Sequence, residues 1–275
     1  MQLRHARGTL DLAQPAVMGV LNVTPDSFSD GGRFLDPARA LEQALRLVGE
    51  GAQIIDIGGE STRPGATPIA ADEELRRVIP IVRALAAQCP VLISVDTSNP
   101  RVIEQAIAAG AGLINDVRAL QEPGALAAVA ASGAAACLMH MRGEPLSMQH
   151  FPVYQHVRSE VRGQLQERLA ACVAAGIDSA RLCIDPGFGF GKTVAHNLEL
   201  LRHLADFTDL GVPVLAGLSR KSMLATLTGR GPDERLAGSI ALACVAVLNG
   251  ARIIRAHDVA ATLDAVRVAH AVMEI

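Results

Sequence analysis

The sequence predicts an α/β protein folded as a single (β/α)8 TIM barrel over residues 1–275, and three observations lead there. Short apolar runs alternate eight times with longer stretches rich in Ala, Leu, Arg and Glu, the pattern of βα units around a parallel sheet. Each run ends in polar residues. The 275-residue length suits barrels of this kind, which commonly use about 250 residues as one domain.

The predicted strands are 17–21, 54–58, 91–95, 112–114, 136–139, 181–184, 212–216 and 252–256. Each shows little polar alternation, as strands buried on both faces should. Helices are expected at 37–49, 71–88, 100–109, 123–132, 157–175, 197–210, 233–248 and 259–273. Asp36-Pro37, Asn99-Pro100 and Glu122-Pro123 put a proline in a first helical turn, where its missing N–H costs nothing. Gly110, Gly133, Gly176, Gly211 and Gly250 follow helices, where a left-handed closing residue is favoured. An open doubly wound sheet is the competing architecture. It would ordinarily carry a glycine-rich dinucleotide turn after its first strand, and Asn22-Val23-Thr24-Pro25-Asp26 is not one.

Composition narrows the partners. Net charge is −3, so there is no basic footprint for nucleic acid and no polybasic membrane patch. The longest apolar stretches fall short of the ~20 residues a membrane span needs. Residues 1–15 lack the apolar run of a secretory signal, which leaves a soluble, cytoplasmic protein as the expectation. Five cysteines, odd in number and without C-x-x-C pairs, read as structural thiols in a reducing compartment.

The strand ends carry the chemistry, because a barrel converges them on one mouth. They supply in turn Asn22, the segment 59–64, Asp96, Asn115-Asp116, His140, the segment 185–192, Ser219–Ser222, and Arg255 with His257. One such residue could be a helix cap; all eight ends being polar points to a site. Arg63, Arg255 and His257 come from the second and last units, which flank the first, with the small donors Ser61 and Thr62 beside Arg63. Together they suggest a phosphate or diphosphate site. Asn22, with Thr24, Asp26 and Asp30 near in sequence, offers oxygens for Mg2+, which needs few protein ligands when substrate phosphates share the ion. Asp96 and Asp185 could act as acid and base, or accept hydrogen bonds from a heterocycle, and Asn115 can complement either role. Only two of 25 cationic residues are lysine. A compact ammonium suits Lys221, with a Schiff base as the sharper alternative, whereas Lys192 reads equally well as a solvated loop residue. Phe28, Phe188 and Phe190 sit in glycine-rich mouth loops, where they could offer a flat apolar face to a planar ligand. Phe34 and Phe207 are assigned to the core.

Four segments, MGVLNVTPDSFSD at 18–30, IDIGGESTRPG at 55–65, DPGFGFGK at 185–192 and SRKS at 219–222, resemble the bacterial dihydropteroate synthases, and the resemblance runs essentially end to end. It implies an enzyme of folate synthesis that condenses 6-hydroxymethyl-7,8-dihydropterin diphosphate with p-aminobenzoate, sulfonamides being its blockers. It further implies that Asp96, Asn115, Asp185 and Lys221 hold the pterin, and that Thr62, Arg63, Arg255 and His257 hold the diphosphate. Asn22 would contribute to the Mg2+ site. Phe28, Pro64, Phe190 and the helix start at Ser222 would frame p-aminobenzoate. Asp96, Lys221, Arg255 and His257 are the expected catalytic residues, a homodimer the expected assembly, and a dissociative substitution the expected mechanism. The loops 26–34 and 61–67 are expected to order over ligands. Two rivals stand beside this reading: a methyltetrahydrofolate methyltransferase-type pterin enzyme, which has no use for a diphosphate cluster, and a pterin-binding paralogue without catalysis.

Overall fold

Every parallel strand lies between the same two neighbours that the chain order predicts. The computed structural model describes residues 1–24, 36–60, 69–143, 148 and 152–274. A hairpin of β1 (Gln2–His5) and β2 (Gly8–Asp11) comes first. Then follow β3 (Ala16–Asn22), α1 (Pro37–Gly49), β4 (Ile54–Gly58), α2 (Ala71–Gln88), β5 (Leu92–Asp96), α3 (Pro100–Ala109), β6 (Leu113–Asp116) and α4 (Ala125–Ala130). The second half runs β7 (Ala135–Met139), α5 (Val157–Ala174), β8 (Leu182–Asp185), α6 (Val194–Arg202), β9 (Leu215–Ala216), α7 (Met223–Thr228), α8 (Leu236–Leu248), β10 (Ile253–Ala256) and α9 (Val259–Met273). The eight-stranded sheet is ordered β8-β7-β6-β5-β4-β3-β10-β9. A parallel bridge between Ile184 and Val214 joins its two ends, so the sheet is a closed barrel.

Alternation along each strand divides the core in two. Ile55, Ile57, Ile93, Val95, Ile114 and Leu138 face outward into a large cluster shared with the helices. Met18, Ile54, Leu92, Leu113, Cys137, Cys183, Leu215 and Ile253 face inward and fill the barrel. Leu3 and Leu12, from the hairpin and the residue just after it, join this inner cluster and stop the barrel's floor. The hairpin went unpredicted, since its few apolar residues are too short a pattern to register.

Caps explain several boundaries. The Asp36 side chain accepts from Ala38 N and Arg39 N, and that of Asn99 accepts from Arg101 N, with a proline next in each case. Gly110, Gly176, Gly211 and Gly250 take the expected positive φ. Other expectations need correction. Helix α4 begins after Gly124, so Pro123 lies before the helix instead of in its first turn. The stretch 197–210 divides into α6, started by a Thr193 capping box, and a 3-10 turn at Leu204–Leu210. Likewise 233–248 divides into a 3-10 turn at Pro232–Glu234 and α8. Gly133 has no positive φ; it is small because Ala6 of the hairpin presses on it.

Candidate active site

Inward parity decides which side chains meet in the mouth. Asn22, Gly58, Asp96 and Asn115 are successive register partners across β3 to β6. Asp56 lies two residues below Gly58 and therefore on the same inner face. Asp185 stands opposite Met139 at the tip of β8, and Arg255 projects from β10. The inner stripe of each of these strands thus begins apolar at the floor and turns polar at the mouth.

At the centre is a clasp. Arg255 Nε donates to Asp56 Oδ2 at 2.6 Å, and its NH2 group donates to Asp96 Oδ2 at 3.1 Å. Asn115 Nδ2 donates to the same Asp56 oxygen at 3.1 Å. Burial works against the guanidinium's charge, but the carboxylates of Asp56 and Asp96 outweigh it and hold Arg255 above its usual range. Asp96 is pushed up to about 7, first by burial and next by the Asp56 charge, with Arg255 opposing. Asp56 Oδ1 and Asp96 Oδ1 are buried and have no hydrogen-bond partner among the described residues. Buried acceptors of that kind are rare in folded proteins, and a ligand that donates hydrogen bonds would satisfy them.

Around the clasp lie the other groups. Asp185 accepts from Gly187 N at 2.7 Å. Burial raises its carboxyl, while the Gly187 N–H and the charges of Lys221, Lys192 and Arg255 hold it down. Lys221 Nζ stands 4.2 Å from the centre of the Phe190 ring. Burial brings Lys221 down to about 8, with Asp185 pulling the other way. The preceding residue, Arg220, has a left-handed backbone (φ 57) that a side chain disfavours. Its guanidinium is held bidentately by Asp258, at 2.6 and 3.1 Å, and its N–H by Ser239 Oγ at 2.9 Å. This turn aims Lys221 inward and leaves Ser222 exposed at the start of α7. His257 Nδ1 lies 3.0 Å from Ser219 Oγ; burial, then the Arg255 and Arg220 charges, lower it to about 4.

The structure thus brings Asp96, Asn115, Asp185, Lys221 and Arg255 together, with Asn22, His257, Phe190 and Ser222 on elements bordering them. Phe28, Thr62, Arg63 and Pro64, and the loops 26–34 and 61–67, lie outside the described residues. Two expectations fail. Phe188 is 1% exposed and packs in the outer core instead of offering a face to a ligand. Lys192 is not solvated: it is 3% exposed and bonded on several sides. Sequence reading also passed over Asp56, fully buried at the heart of the clasp. Its signal was present, a lone carboxylate at an inward position of the run Ile54–Gly58.

Comparison with known proteins agrees with this geometry. The family described as pterin binding enzyme matches residues 18–257. Dihydropteroate synthase of Escherichia coli (strain K12) is 52% identical over 269 residues, covering 98% of this chain and 95% of its own. The Haemophilus influenzae synthase is 49% identical over 268 residues, covering 98% of each chain. Among solved structures, Xanthomonas albilineans dihydropteroate synthase with 4-aminobenzoic acid superposes with a TM-score of 0.93 at 52% identity over the whole of both chains. The same organism's enzyme in complex with 7,8-dihydropteroate gives 0.88 at 51% identity over 97% of each.

A pH signature follows from His257. Its folded pKa, near 4, lies below the unfolded 6.5, so the unfolded chain takes up the proton first as pH falls, and stability drops between those values. Urea unfolding should show His257→Asn gaining stability relative to the wild type as pH falls from 6.5 to about 4. A difference that stays flat across this window would contradict the buried neutral imidazole.

Proposed function

We infer that this chain, which belongs to the pterin binding enzymes and within them to the dihydropteroate synthases, is a transferase of folate biosynthesis. It condenses 6-hydroxymethyl-7,8-dihydropterin diphosphate with p-aminobenzoate to give 7,8-dihydropteroate and diphosphate. The observation that carries this reading is the buried cup of Asp56, Asp96, Asn115, Asp185 and Arg255, with its two unsatisfied carboxylate oxygens. A pterin ring presents N–H donors and ring-nitrogen acceptors around its rim. Asp185 and Asn115 suit its amino edge, and Asp96, able to hold a proton near neutral pH, can donate to a ring nitrogen as well as accept. Lys221 and the Phe190 ring border the pterin, while Phe28, Pro64, Phe190 and Ser222 frame p-aminobenzoate.

The reaction breaks a C–O bond to diphosphate, and an aryl amine needs no strong base to attack. The task is to stabilise charge on the departing group, which Thr62, Arg63, Arg255 and His257 do by electrostatics in a site shielded from water. Asp96, on the other side, stabilises positive charge developing at the exocyclic carbon of the electron-rich pterin. The residues present also suit Mg2+. Gly58 carries no side chain, and the place its Cβ would occupy lies 3.8 Å from Asn22 Oδ1 and 3.9 Å from Asp96 Oδ2. Two hard oxygens therefore border a small space, and among the described residues no set of three His, Cys, Asp or Glu forms a stronger metal site. Asn22 would hold the ion together with substrate phosphates, and the bound ion would neutralise charge on the leaving diphosphate.

The chain acts as one barrel domain over residues 1–275, on small molecules, with no nucleic acid or membrane partner. No described helix is long and apolar enough to cross a membrane. Five cysteines, odd in number and without C-x-x-C pairs, suit the reducing cytoplasm. The chain also forms a homodimer. Adjacent helices α8 and α9 expose Leu236, Val245, Leu248, Val268 (66%), Val272 (62%) and Met273, an apolar surface of the sort that marks contact sites.

Diphosphate release should require both p-aminobenzoate and Mg2+, and Asp185→Asn should lower kcat/KM by about 100-fold, as expected for a first contact of substrate. Release that ignores p-aminobenzoate would reject the reading. Substrate made chiral by deuterium at the exocyclic carbon should give scrambled product; clean inversion would instead show concerted displacement. Light scattering should find a dimer in the wild type and a monomer for Val268→Glu with Val272→Glu, and a wild-type monomer would refute the assembly.

A further inference from the structure

Lys192 ends the segment that follows β8, and its side chain turns into the protein. Its Nζ lies 2.8 Å from the Gly187 carbonyl oxygen, 3.0 Å from that of Phe190, 3.0 Å from His140 Nδ1 and 3.3 Å from the His140 carbonyl oxygen. An ammonium has three donors and accepts nothing. When Lys192 is protonated, the three nearest acceptors use all of its protons, and the segment 187–190 is wrapped around this one amine much as filter carbonyls wrap a potassium ion. Burial brings Lys192 down to about 7, with the Asp185 charge opposing. Gly187 (φ 71) and Gly191 (φ 60) let the segment lie directly on the end of β7. A Cβ at either would collide with the carbonyl oxygen of His140 or Arg142.

Both ends of this cage reach the cup. The Gly187 N–H bonds to Asp185, and the Phe190 ring lies against Lys221 Nζ. We propose that Lys192 is a positioning residue of the transferase site: by gathering the Gly187, Phe190 and His140 acceptors on one ammonium, it fixes the amide that orients Asp185 and the ring that borders Lys221. It acts on the substrates only through those groups. The proposal rests on the synthase reading above. It also accounts for lysine here in a chain with only one other lysine, since a planar guanidinium cannot meet acceptors arrayed around a point.

The test compares Lys192→Met, Lys192→Arg and Lys192→Ala, the last with and without ethylammonium chloride, by KM, kcat, thermal midpoint and near-UV circular dichroism. In folded Met and Arg variants, KM for p-aminobenzoate should rise about tenfold or more, with a smaller fall in kcat, since misplacement of a pocket wall by about an ångström costs that much or more. Ethylammonium should lower the raised KM of Lys192→Ala and leave the wild type unchanged. Folded variants with a lower thermal midpoint but wild-type KM and kcat would make Lys192 a purely structural residue and overturn the proposal. Should all three fail to fold, His140→Leu decides. It removes one acceptor from the cage, so a KM for p-aminobenzoate raised about threefold supports the proposal and an unchanged KM overturns it. A wild-type protein that forms no product would reject the synthase reading instead. Fluorescence titration with 6-hydroxymethylpterin would then still read the inference: weaker binding by Lys192→Met supports it, and equal binding overturns it.

Discussion

The fold has to hold several charges out of water inside the barrel mouth, and Arg255 makes that possible. Its guanidinium spans from β10 to carboxylates on β4 and β5, strands that are not its sheet neighbours. Only a closed barrel places those strand tips across a common centre. Desolvating a guanidinium or a carboxylate alone would cost several kcal/mol, and the arrangement offsets this only while both partners stay in place. The clasp is thus a constraint on the sheet as well as part of the site. It ties three strands together at the end where the inner stripes turn polar.

The same arrangement leaves the cup poised for a ligand. Asp56 Oδ1 and Asp96 Oδ1 go without partners among the described residues, while Asp185 is paired with the Gly187 amide and His257 with Ser219. Strain is concentrated at the same end. Arg220 is left-handed because Asp258 and Ser239 hold it so, and that turn delivers Lys221. Stability is given up near the chemistry and supplied by the two apolar layers below it.

Much of this was legible in the sequence, for a physical reason. Burial on both faces makes parallel strands read as apolar runs, so the first polar residue after each run marks a strand tip, and Asp96, Asn115 and Asp185 were found in this way. The same rule hid Asp56, because it lies inside a run, where the eye takes Ile54–Gly58 as uniformly apolar. Lys192 was missed differently. Apart from His140 Nδ1, its partners are main-chain carbonyls, which every residue carries, so no side-chain pattern announces the cage. Phe188 misled because glycine-rich neighbours suggest an open loop, whereas here the glycines serve to press that loop against β7. The hairpin at the floor escaped because two leucines, Leu3 and Leu12, suffice to fill a narrow opening.

That floor has a consequence for traffic. A vessel stopped at its base fills and empties by one doorway. Asp56 and Arg255 lie deeper along the inner faces than Phe190 and Ser222, which sit on segments beyond the strand tips. Whatever rests against the deeper pair is therefore covered by whatever rests against the outer pair, and must arrive before it.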